Sequence, residues 1–314
     1  MPIALLAAFS VLLGSGTSAY AGQPNEENTW HKQGVNAYSD MSEARDPQGN
    51  SLQVWEGDGQ TIQVRVNGSA AFALANAQTR AAPVVQYSNG QFVIFHTGTN
   101  GYVFYEWADL VFGADGTYSL RTHGWIQVPN GVRTNSNEPV SVTVAPGGLY
   151  LAFLAADNSG LLYGDFYSRD TGQWNSPSFI NGARSTLGPT VSYSSNGRMF
   201  ILAYTGEDRR VYIARLAYGS NDWGASVALP GVHTYDRPGL AMASNGNGQV
   251  AVRTADLDLI ELNSITENLG SSGWTYDTGG IIARFAPVVL AYGTWFYAIV
   301  TAGNGDVWWK NTRH

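Results

Sequence analysis

The chain has 314 residues, a net charge of −7 and no cysteine. The absence of cysteine excludes disulfide scaffolds, thiolate metal sites and a cysteine nucleophile. The acidic balance argues against a nucleic-acid partner, because affinity for nucleic acids depends mainly on lysine and arginine side chains that neutralise phosphates. Hydrophobic residues make up 44% of the chain and charged residues only 13%, which indicates a globular protein whose surface is polar but largely uncharged.

The first segment of the chain has the pattern of an export signal. Residues 3–13 form an apolar run that is too short to cross a bilayer, and Ala19-Tyr20-Ala21 supplies the small residues of a cleavage site. We therefore expect residues 1–21 to be a signal peptide, residues 22–314 to form one mature domain, and the protein to be secreted. A buried helix over residues 3–13 is the alternative. Since no later apolar run approaches 18 residues, stable membrane insertion is not expected.

The rest of the chain repeats with a period of about 50 residues. Trp125, Trp174, Trp223 and Trp274 mark the period. A glycine follows each of them, then a small residue three positions later, and then a proline. Six units can be recognised on this pattern, and they begin at residues 34, 76, 131, 182, 231 and 280. Repeats of this length are typical of propellers and other repeat architectures.

Each unit predicts four β-strands. In the second unit an alternating segment at residues 84–87 is followed by the turn Asn89-Gly90, a strand at 92–95 and an aromatic strand at 102–105. The tryptophan then marks a fourth, outer strand. Four-stranded units at this period predict an all-β, six-bladed β-propeller. The last unit stops after three strands, and residues 27–32 are expected to supply the fourth and close the ring.

Motifs for catalysis or cofactor binding are not visible. The sequence has no H-E-x-x-H, no G-x-S-x-G and no EF-hand loop, and its five histidines are scattered. We therefore predict no metal site, no cofactor and no catalytic residues, and we favour a binding protein over an enzyme.

Polar and aromatic residues recur in loops that a propeller would place on one face. The arginines between an outer strand and the next inner strand are Arg80, Arg133, Arg184, Arg237 and Arg284. The carboxylates and amides between the second and third strands include Asn100, Asp157, Glu207, Asp208 and Asp256. The aromatic residues that begin the third strands are Tyr102, Tyr163, Tyr212 and Trp308. Planar donors, acceptors and aromatic faces together suit sugars, so this set is the predicted sugar-binding site.

A purely structural role is the alternative for the same residues. Repeated arginines can pair with carboxylates across blades, and loop aspartates and asparagines often close their own turns. The outer tryptophans are expected to pack between blades. For any single residue we favour the structural role, whereas for the whole set both interpretations stay open.

The repeat also resembles a known family. The unit containing Arg184-Ser-Thr-Leu-Gly-Pro189, Ser195-Asn-Gly-Arg198, Gly206-Glu-Asp208, Val211-Tyr212 and Trp223 is similar to blades of the fucose-binding β-propeller lectins of bacteria and fungi. The resemblance extends over about residues 28–314. It implies fucose or related sugars bound between adjacent blades, without catalysis or a required metal. The third strands do not repeat the Arg, Glu and Trp sugar-binding set of that family.

Three functions follow as hypotheses. The first is a secreted lectin whose partners are glycans or glycoproteins bound at repeated sites, which multivalency would strengthen. The second is a glycoside hydrolase or lyase with one site on the same face, for which the candidate carboxylates are Asp157, Glu207, Asp208 and Asp256. The third is a protein-interaction scaffold. Repetition of the polar set favours binding, whereas one carboxylate with a raised pKa in a single blade would favour an enzyme.

Overall fold

The computed structural model describes residues 29–312 except Ser136, Leu257 and Thr278. The expected signal peptide, residues 1–21, lies outside the described residues. Within those residues the chain forms six antiparallel sheets, and the one helical segment is a short 3-10 turn at Asp58–Gln60. No helix in this part of the chain is long and apolar enough to cross a membrane.

The first three sheets follow one another along the chain. Sheet 1 consists of β2 (Ser42–Arg45), β3 (Ser51–Glu56), β4 (Thr61–Val66) and β5 (Phe72–Gln78). Sheet 2 consists of β6 (Val84–Ser88), β7 (Gln91–Thr97), β8 (Val103–Phe112), β9 (Tyr118–Thr122) and β10 (Ile126–Gln127). Sheet 3 consists of β11 (Ser141–Ala145), β12 (Gly148–Leu154), β13 (Leu161–Ser168), β14 (Gln173–Trp174) and β15 (Ser178–Arg184).

The last three sheets each have four strands. Sheet 4 consists of β16 (Thr190–Ser194), β17 (Met199–Thr205), β18 (Arg210–Ala217) and β19 (Val227–His233). Sheet 5 consists of β20 (Gly239–Met242), β21 (Asn247–Arg253), β22 (Ile260–Thr266) and β23 (Ser271–Tyr276). Sheet 6 consists of β24 (Val288–Tyr292), β25 (Trp295–Thr301), β26 (Asp306–Thr312) and β1 (His31–Asn36).

Every sheet is an antiparallel meander, the strand order of a propeller blade. The predicted four-strand pattern holds in four sheets, and in sheets 2 and 3 the fourth position is divided between two short strands that both pair with the third. In sheet 3 the division falls at Pro177, which has no N–H to continue the ladder. The N-terminal segment completes sheet 6, as predicted, although the strand lies at His31–Asn36 and not at residues 27–32.

In each sheet the turns and connections lie at the two ends of the strands, and we call these two sides of the sheet its edges. One edge carries the loops between second and third strands and the connections to the next sheet, and we call it the connection edge. The other carries the turns between first and second and between third and fourth strands, and we call it the hairpin edge. One hairpin on that edge joins β8 to β9, where Phe112 and Tyr118 are exposed.

Apolar clusters fill the spaces between consecutive sheets. One such cluster joins sheet 6 to sheet 1 and contains Met41, Trp55, Ile299 and Trp309. Five tryptophans of the outer segments pack against the preceding sheet, as predicted for inter-blade packing: Trp30, Trp125, Trp174, Trp223 and Trp274. Because burial of such aromatic area dominates core energetics, these contacts hold neighbouring sheets together.

The first strands of all six sheets line one shared cavity of about 340 Å³. Consecutive first strands are in contact from β2 to β24, and Tyr292 of β24 donates its hydroxyl to Glu43 of β2 at 3.4 Å. Side-chain hydroxyls satisfy amides that have no partner within their own sheet: Val191 N–H donates to Ser141 Oγ at 2.9 Å, and Met242 N–H to Ser192 Oγ at 2.9 Å.

Replacing Ser141 with alanine is expected to lower the free energy of unfolding by about 1–3 kcal/mol. The change leaves the buried N–H of Val191 without its acceptor, and an unsatisfied buried donor costs about that much. Chemical denaturation of Ser141→Ala measures the loss. The exposed Ser195→Ala is the matched control and should stay within about 0.5 kcal/mol of the wild type. Equal effects of the two changes would contradict this role of Ser141.

Candidate functional site

The structure places the five predicted arginines at the connection edge in three different positions. Arg133 and Arg184 are equivalent, and each donates to a backbone carbonyl in the loop of its own sheet: Arg133 to Asn100 O at 3.1 Å and Arg184 to Ser159 O at 2.9 Å. Both therefore brace the loop between second and third strands. Whether they also contact a sugar stays a prediction.

The other three arginines point to different surroundings. Arg237 is largely buried and donates to Asp40 Oδ2 at 3.0 Å. Arg80 and Arg284 are exposed, and the guanidinium carbon of Arg284 lies 5.0 Å from the centroid of the Phe285 ring. The arginines thus do not form one repeated set.

The predicted loop carboxylates and amides mainly close their own turns. Asn100, Asp157 and Asp208 each accept a hydrogen bond at Oδ1 from the backbone N–H two residues later, at 3.0–3.1 Å. Hydrogen bonds from Ser159 hold the pKa of Asp157 below its usual range. Glu207 and Asp256 are exposed. The hydrogen bonds of Asn100, Asp157 and Asp208 therefore stabilise the loops in which these residues lie.

Three of the four predicted aromatic residues are equivalent. In each third strand we number the residues from the first one that pairs with the second strand. The second such residue is Tyr163, Tyr212 or Trp308 in sheets 3, 4 and 6. In sheet 2 it is Phe104 and not Tyr102. Three of these rings stack on a ring of the second strand, in the pairs Tyr163–Phe153 (5.9 Å), Tyr212–Tyr204 (5.4 Å) and Phe104–His96 (5.4 Å).

A cavity outside the predicted set lies at the hairpin edge between sheets 3 and 4. It has a volume of about 570 Å³ and combines aromatic, amide and hydroxyl groups with one carboxyl. Sheet 3 contributes Tyr150, Asp165 and Phe166, and sheet 4 contributes Phe200 and Tyr218. None of these residues belongs to the predicted set.

Asp165 provides the only charged group of this cavity lining. The residue is 2% exposed, and its Oδ1 accepts a hydrogen bond from Phe166 N–H at 2.8 Å. Oδ2 has no partner among the described residues. Burial raises the pKa of this carboxyl to about 7. A buried polar atom without a partner is costly and rare in folded proteins, so Oδ2 is suited to a ligand that supplies the missing hydrogen bond.

Aromatic rings form the wall beside this carboxyl. The ring centroids of Tyr150 and Phe200 are 4.6 Å apart, and that of Tyr218 lies 6.1 Å from Phe200 and 6.3 Å from Phe166. Rings at these distances offer the apolar face on which the C–H side of a sugar can pack.

Gly164 makes room for the wall. A Cβ at Gly164 would lie 1.9 Å from the hydroxyl oxygen of Tyr150, so a side chain there would displace the tyrosine. The same hydroxyl accepts a hydrogen bond from Trp223 Nε1 at 3.2 Å, and burial raises the pKa of Tyr150 to about 12. The tyrosine is thus fixed as a neutral side chain between the two sheets.

A similar cavity of about 620 Å³ lies at the hairpin edge between sheets 5 and 6. Its lining includes Asn245, Ser264, Ser271, Trp295 and Phe296, and it contains no charged side chain. Aromatic rings and small polar groups again face one space, so the chain has two inter-sheet cavities of related chemistry on one edge.

The residue equivalent to Asp165 is polar in five of the six sheets. Counted from the first buried residue of each third strand, the equivalents are Arg65, Glu106, Ala214, Asn263 and Lys310. Glu106 accepts Gly124 N–H at 2.7 Å, and Arg65 donates to Gln33 O at 2.9 Å. Glu106 thus ties the third strand of sheet 2 to its own outer segment, and Arg65 ties sheet 1 to β1 of sheet 6, whereas Asp165 keeps one oxygen free.

The four carboxylates proposed for hydrolysis lie in the loops of three different sheets. Asp157 belongs to sheet 3, Glu207 and Asp208 to sheet 4, and Asp256 to sheet 5. A carboxyl whose pKa burial raises to about 7 does occur at the connection edge, but it is Glu56. Within the described part of the chain, no group of three or more histidine, aspartate or glutamate side chains could hold a metal ion.

Because the pKa of Asp165 is raised in the folded protein, we expect the free energy of unfolding to depend on pH. Between pH 4 and 7 the unfolded chain ionises this group, whereas the folded protein keeps it protonated. The free energy of unfolding therefore falls as the pH rises through that window, by about 1–4 kcal/mol at 1.36 kcal/mol per pKa unit. Denaturation of wild type and Asp165→Asn at pH 4.5 and 8 measures the difference. Parallel pH profiles for the two proteins would contradict the raised pKa.

Solved structures resemble this chain in fold. A luciferin-regenerating enzyme aligns with a TM-score of 0.58 and 12% identity over 91% of this chain and 95% of the enzyme. A fucose-specific lectin from Aleuria aurantia aligns with a TM-score of 0.59 and 12% identity over 87% of this chain and 91% of the lectin. A Trypanosoma rangeli sialidase mutant aligns with a TM-score of 0.55 and 13% identity over 88% of this chain and 54% of the sialidase.

At such identities the likeness concerns the fold alone. No protein-family model and no curated protein matches the sequence. The alignment with the Aleuria aurantia lectin confirms, at the level of the fold, the resemblance that the repeat shows in the sequence.

Proposed function

We propose that this protein is a secreted lectin, built as a six-bladed β-propeller, that binds glycans in cavities between neighbouring blades. The observation that carries the proposal is the cavity between sheets 3 and 4, where the free carboxylate oxygen of Asp165 lies among aromatic rings. A sugar hydroxyl would supply the missing hydrogen bond, while the apolar side of the same ring would pack on Tyr218 or Phe166.

The ring of six blades is supported by contacts at its two ends. β1 pairs with β26, so the N-terminal strand completes the last sheet. The cluster of Met41, Trp55, Ile299 and Trp309 joins that sheet to the first. Closure of the ring in this way would cover the strand edges at the two termini. Secretion rests on the sequence of residues 1–21, and fucose is the first sugar to test because a structural neighbour is a fucose-specific lectin.

A glycan array probed with the full chain, with and without a chelator, tests the proposal. We expect chelator-independent binding to glycans that share a terminal sugar. Ser178→Trp, which places an indole in the cavity from its exposed rim, should lose that binding. Asn181→Trp is the matched control, because it lies exposed on the same strand outside the cavity lining. Silence of the wild type across an array that detects weak multivalent binders would refute the lectin.

Hydrolysis of a glycan is the second candidate function. It is favoured by a cavity of about 210 Å³ on the axis at the connection edge, which Asp40, Glu56, Glu138 and Asp236 all line. Burial raises the pKa of Asp40 and of Glu138, and it raises the pKa of Glu56 to about 7. Glycosidases use a protonated carboxyl as general acid together with a second carboxylate. Release of sugar from the array glycans by the wild type, lost in Glu56→Gln, would establish this function.

A further inference from the structure

A third inter-sheet cavity opens at the connection edge between sheets 1 and 2. Its volume is about 640 Å³. Sheet 2 contributes the rings of His96, Phe104 and Trp125, and the loop residue Asn100. Sheet 1 contributes Asn76 and Gln78 at the end of β5. The cavity therefore lies on the opposite edge of the molecule from that of Asp165.

His96 is the buried polar group of this cavity. The residue is 4% exposed, and its Nδ1 has no hydrogen-bond partner among the described residues. Burial lowers the pKa of the imidazole to about 4. The ring is therefore neutral at physiological pH, and Nδ1 is a buried polar atom that a ligand can satisfy.

Aromatic rings enclose the imidazole on two sides. Phe104 stacks on His96 with a centroid distance of 5.4 Å, and Trp125 meets it edge to face at 4.5 Å. Trp125 Nε1 donates to Ala75 O at 3.4 Å, which ties the indole to sheet 1. The three rings thus form a fixed apolar wall rather than loose surface groups.

The polar groups around the wall are amides and hydroxyls. Asn76 and Gln78 are exposed at the rim, and Asn100 uses its Oδ1 to accept Tyr102 N–H, which leaves its amide nitrogen available. No aspartate, glutamate, lysine or arginine lines the cavity. A charged ligand would find no opposite charge here, so the lining suits a neutral ring with one apolar face and hydroxyls at its edge.

We propose that the cavity of His96, Phe104 and Trp125 is a second sugar site, which takes a neutral pyranose. This inference rests on the proposed lectin function and extends it to a site of different chemistry. The carboxyl cavity and the imidazole cavity lie on opposite edges of the sheets, so one molecule presents sugar sites on both of its faces and can hold two glycans that point in opposite directions.

Histidine ring NMR tests the second site directly. His96 is identified by ring signals that do not titrate between pH 5.5 and 8, because its pKa is about 4. The probes are the methyl pyranosides of L-fucose, D-galactose and D-mannose. We expect at least one of them to shift the His96 signals in a saturable way, in the wild type and equally in Asp165→Ala.

Substitutions that fill the His96 cavity show whether the sugar binds there. Gln78→Trp, which fills the cavity from its exposed rim, should weaken this binding at least tenfold, while Gln127→Trp, exposed on sheet 2 outside the lining, should leave it unchanged. If the sugars bind and Ser178→Trp removes all of that binding while His96 signals never move, the second site is refuted and the lectin stands. If no glycan binds the protein at all, the proposed function itself fails.

Discussion

Replacing Lys310 with methionine is expected to lower the free energy of unfolding by about 3–5 kcal/mol. Lys310 and Asp277 form an ion pair whose side chains are 4% and 3% exposed. Asp277 also accepts a hydrogen bond from Trp30 Nε1 at 2.5 Å. Methionine would leave a buried carboxylate without its counter-charge, and breaking a buried pair from one side has a cost of about this size.

A second ion pair on the same sheet supplies the control. Lys32 of β1 pairs with Asp306 of β26 at 2.6 Å, but the Lys32 side chain is 49% exposed. Lys32→Met should therefore change the free energy of unfolding by less than about 1 kcal/mol. Urea denaturation of both variants measures the two losses, and similar losses in the two would contradict the larger contribution assigned to the buried pair.

Replacing Asp165 with alanine is expected to weaken binding of the preferred monosaccharide by about 10–150-fold. A hydrogen bond to a charged group contributes about 1.5–3 kcal/mol, and each 1.4 kcal/mol is a tenfold change in affinity. Isothermal titration calorimetry at pH 8, where the carboxyl is ionised, measures the loss. Because Oδ1 of Asp165 also accepts Phe166 N–H, circular dichroism at the same pH must first show that the variant is folded.

The control for this change is Asp170→Ala. Asp170 lies exposed in the turn that follows β13, so the variant removes the same charge from the same sheet outside the cavity. Unchanged affinity is expected there. If Asp157→Ala abolishes binding while Asp165→Ala leaves it intact, the sugar is held by the loop residues that the sequence predicts and not by the cavity.

The sheets could be predicted from the sequence because short-range patterns within each repeat specify its strands and turns. Turn pairs such as Asn89-Gly90 and the alternation at residues 84–87 specify strands and hairpins without tertiary information. The outer tryptophans were correctly expected to pack between sheets. The division of β14 from β15 was missed, although Pro177 was a visible signal for it.

The site could not be predicted in the same way, because it depends on which side chains two sheets bring together. Asp165 stands alone in an aromatic third strand, next to Gly164, and that isolation was the available signal. Its burial and its free oxygen depend on Phe200 and Tyr218 of the following sheet. The predicted arginines do not form a repeated set because their spacing from the small residue of each repeat varies, which moves them between three positions.

A crystal structure of the protein soaked with methyl α-L-fucoside tests the central claim most directly. The account predicts density for a sugar ring in the cavity between sheets 3 and 4, with a hydroxyl within hydrogen-bond distance of Asp165 Oδ2 and the ring against Tyr218 or Phe166. Should the fucoside fail to occupy the cavity, the same soak with the sugar that binds best on the array repeats the test. Density for that sugar only in the connection-edge loops, with the Asp165 cavity empty, would contradict the account.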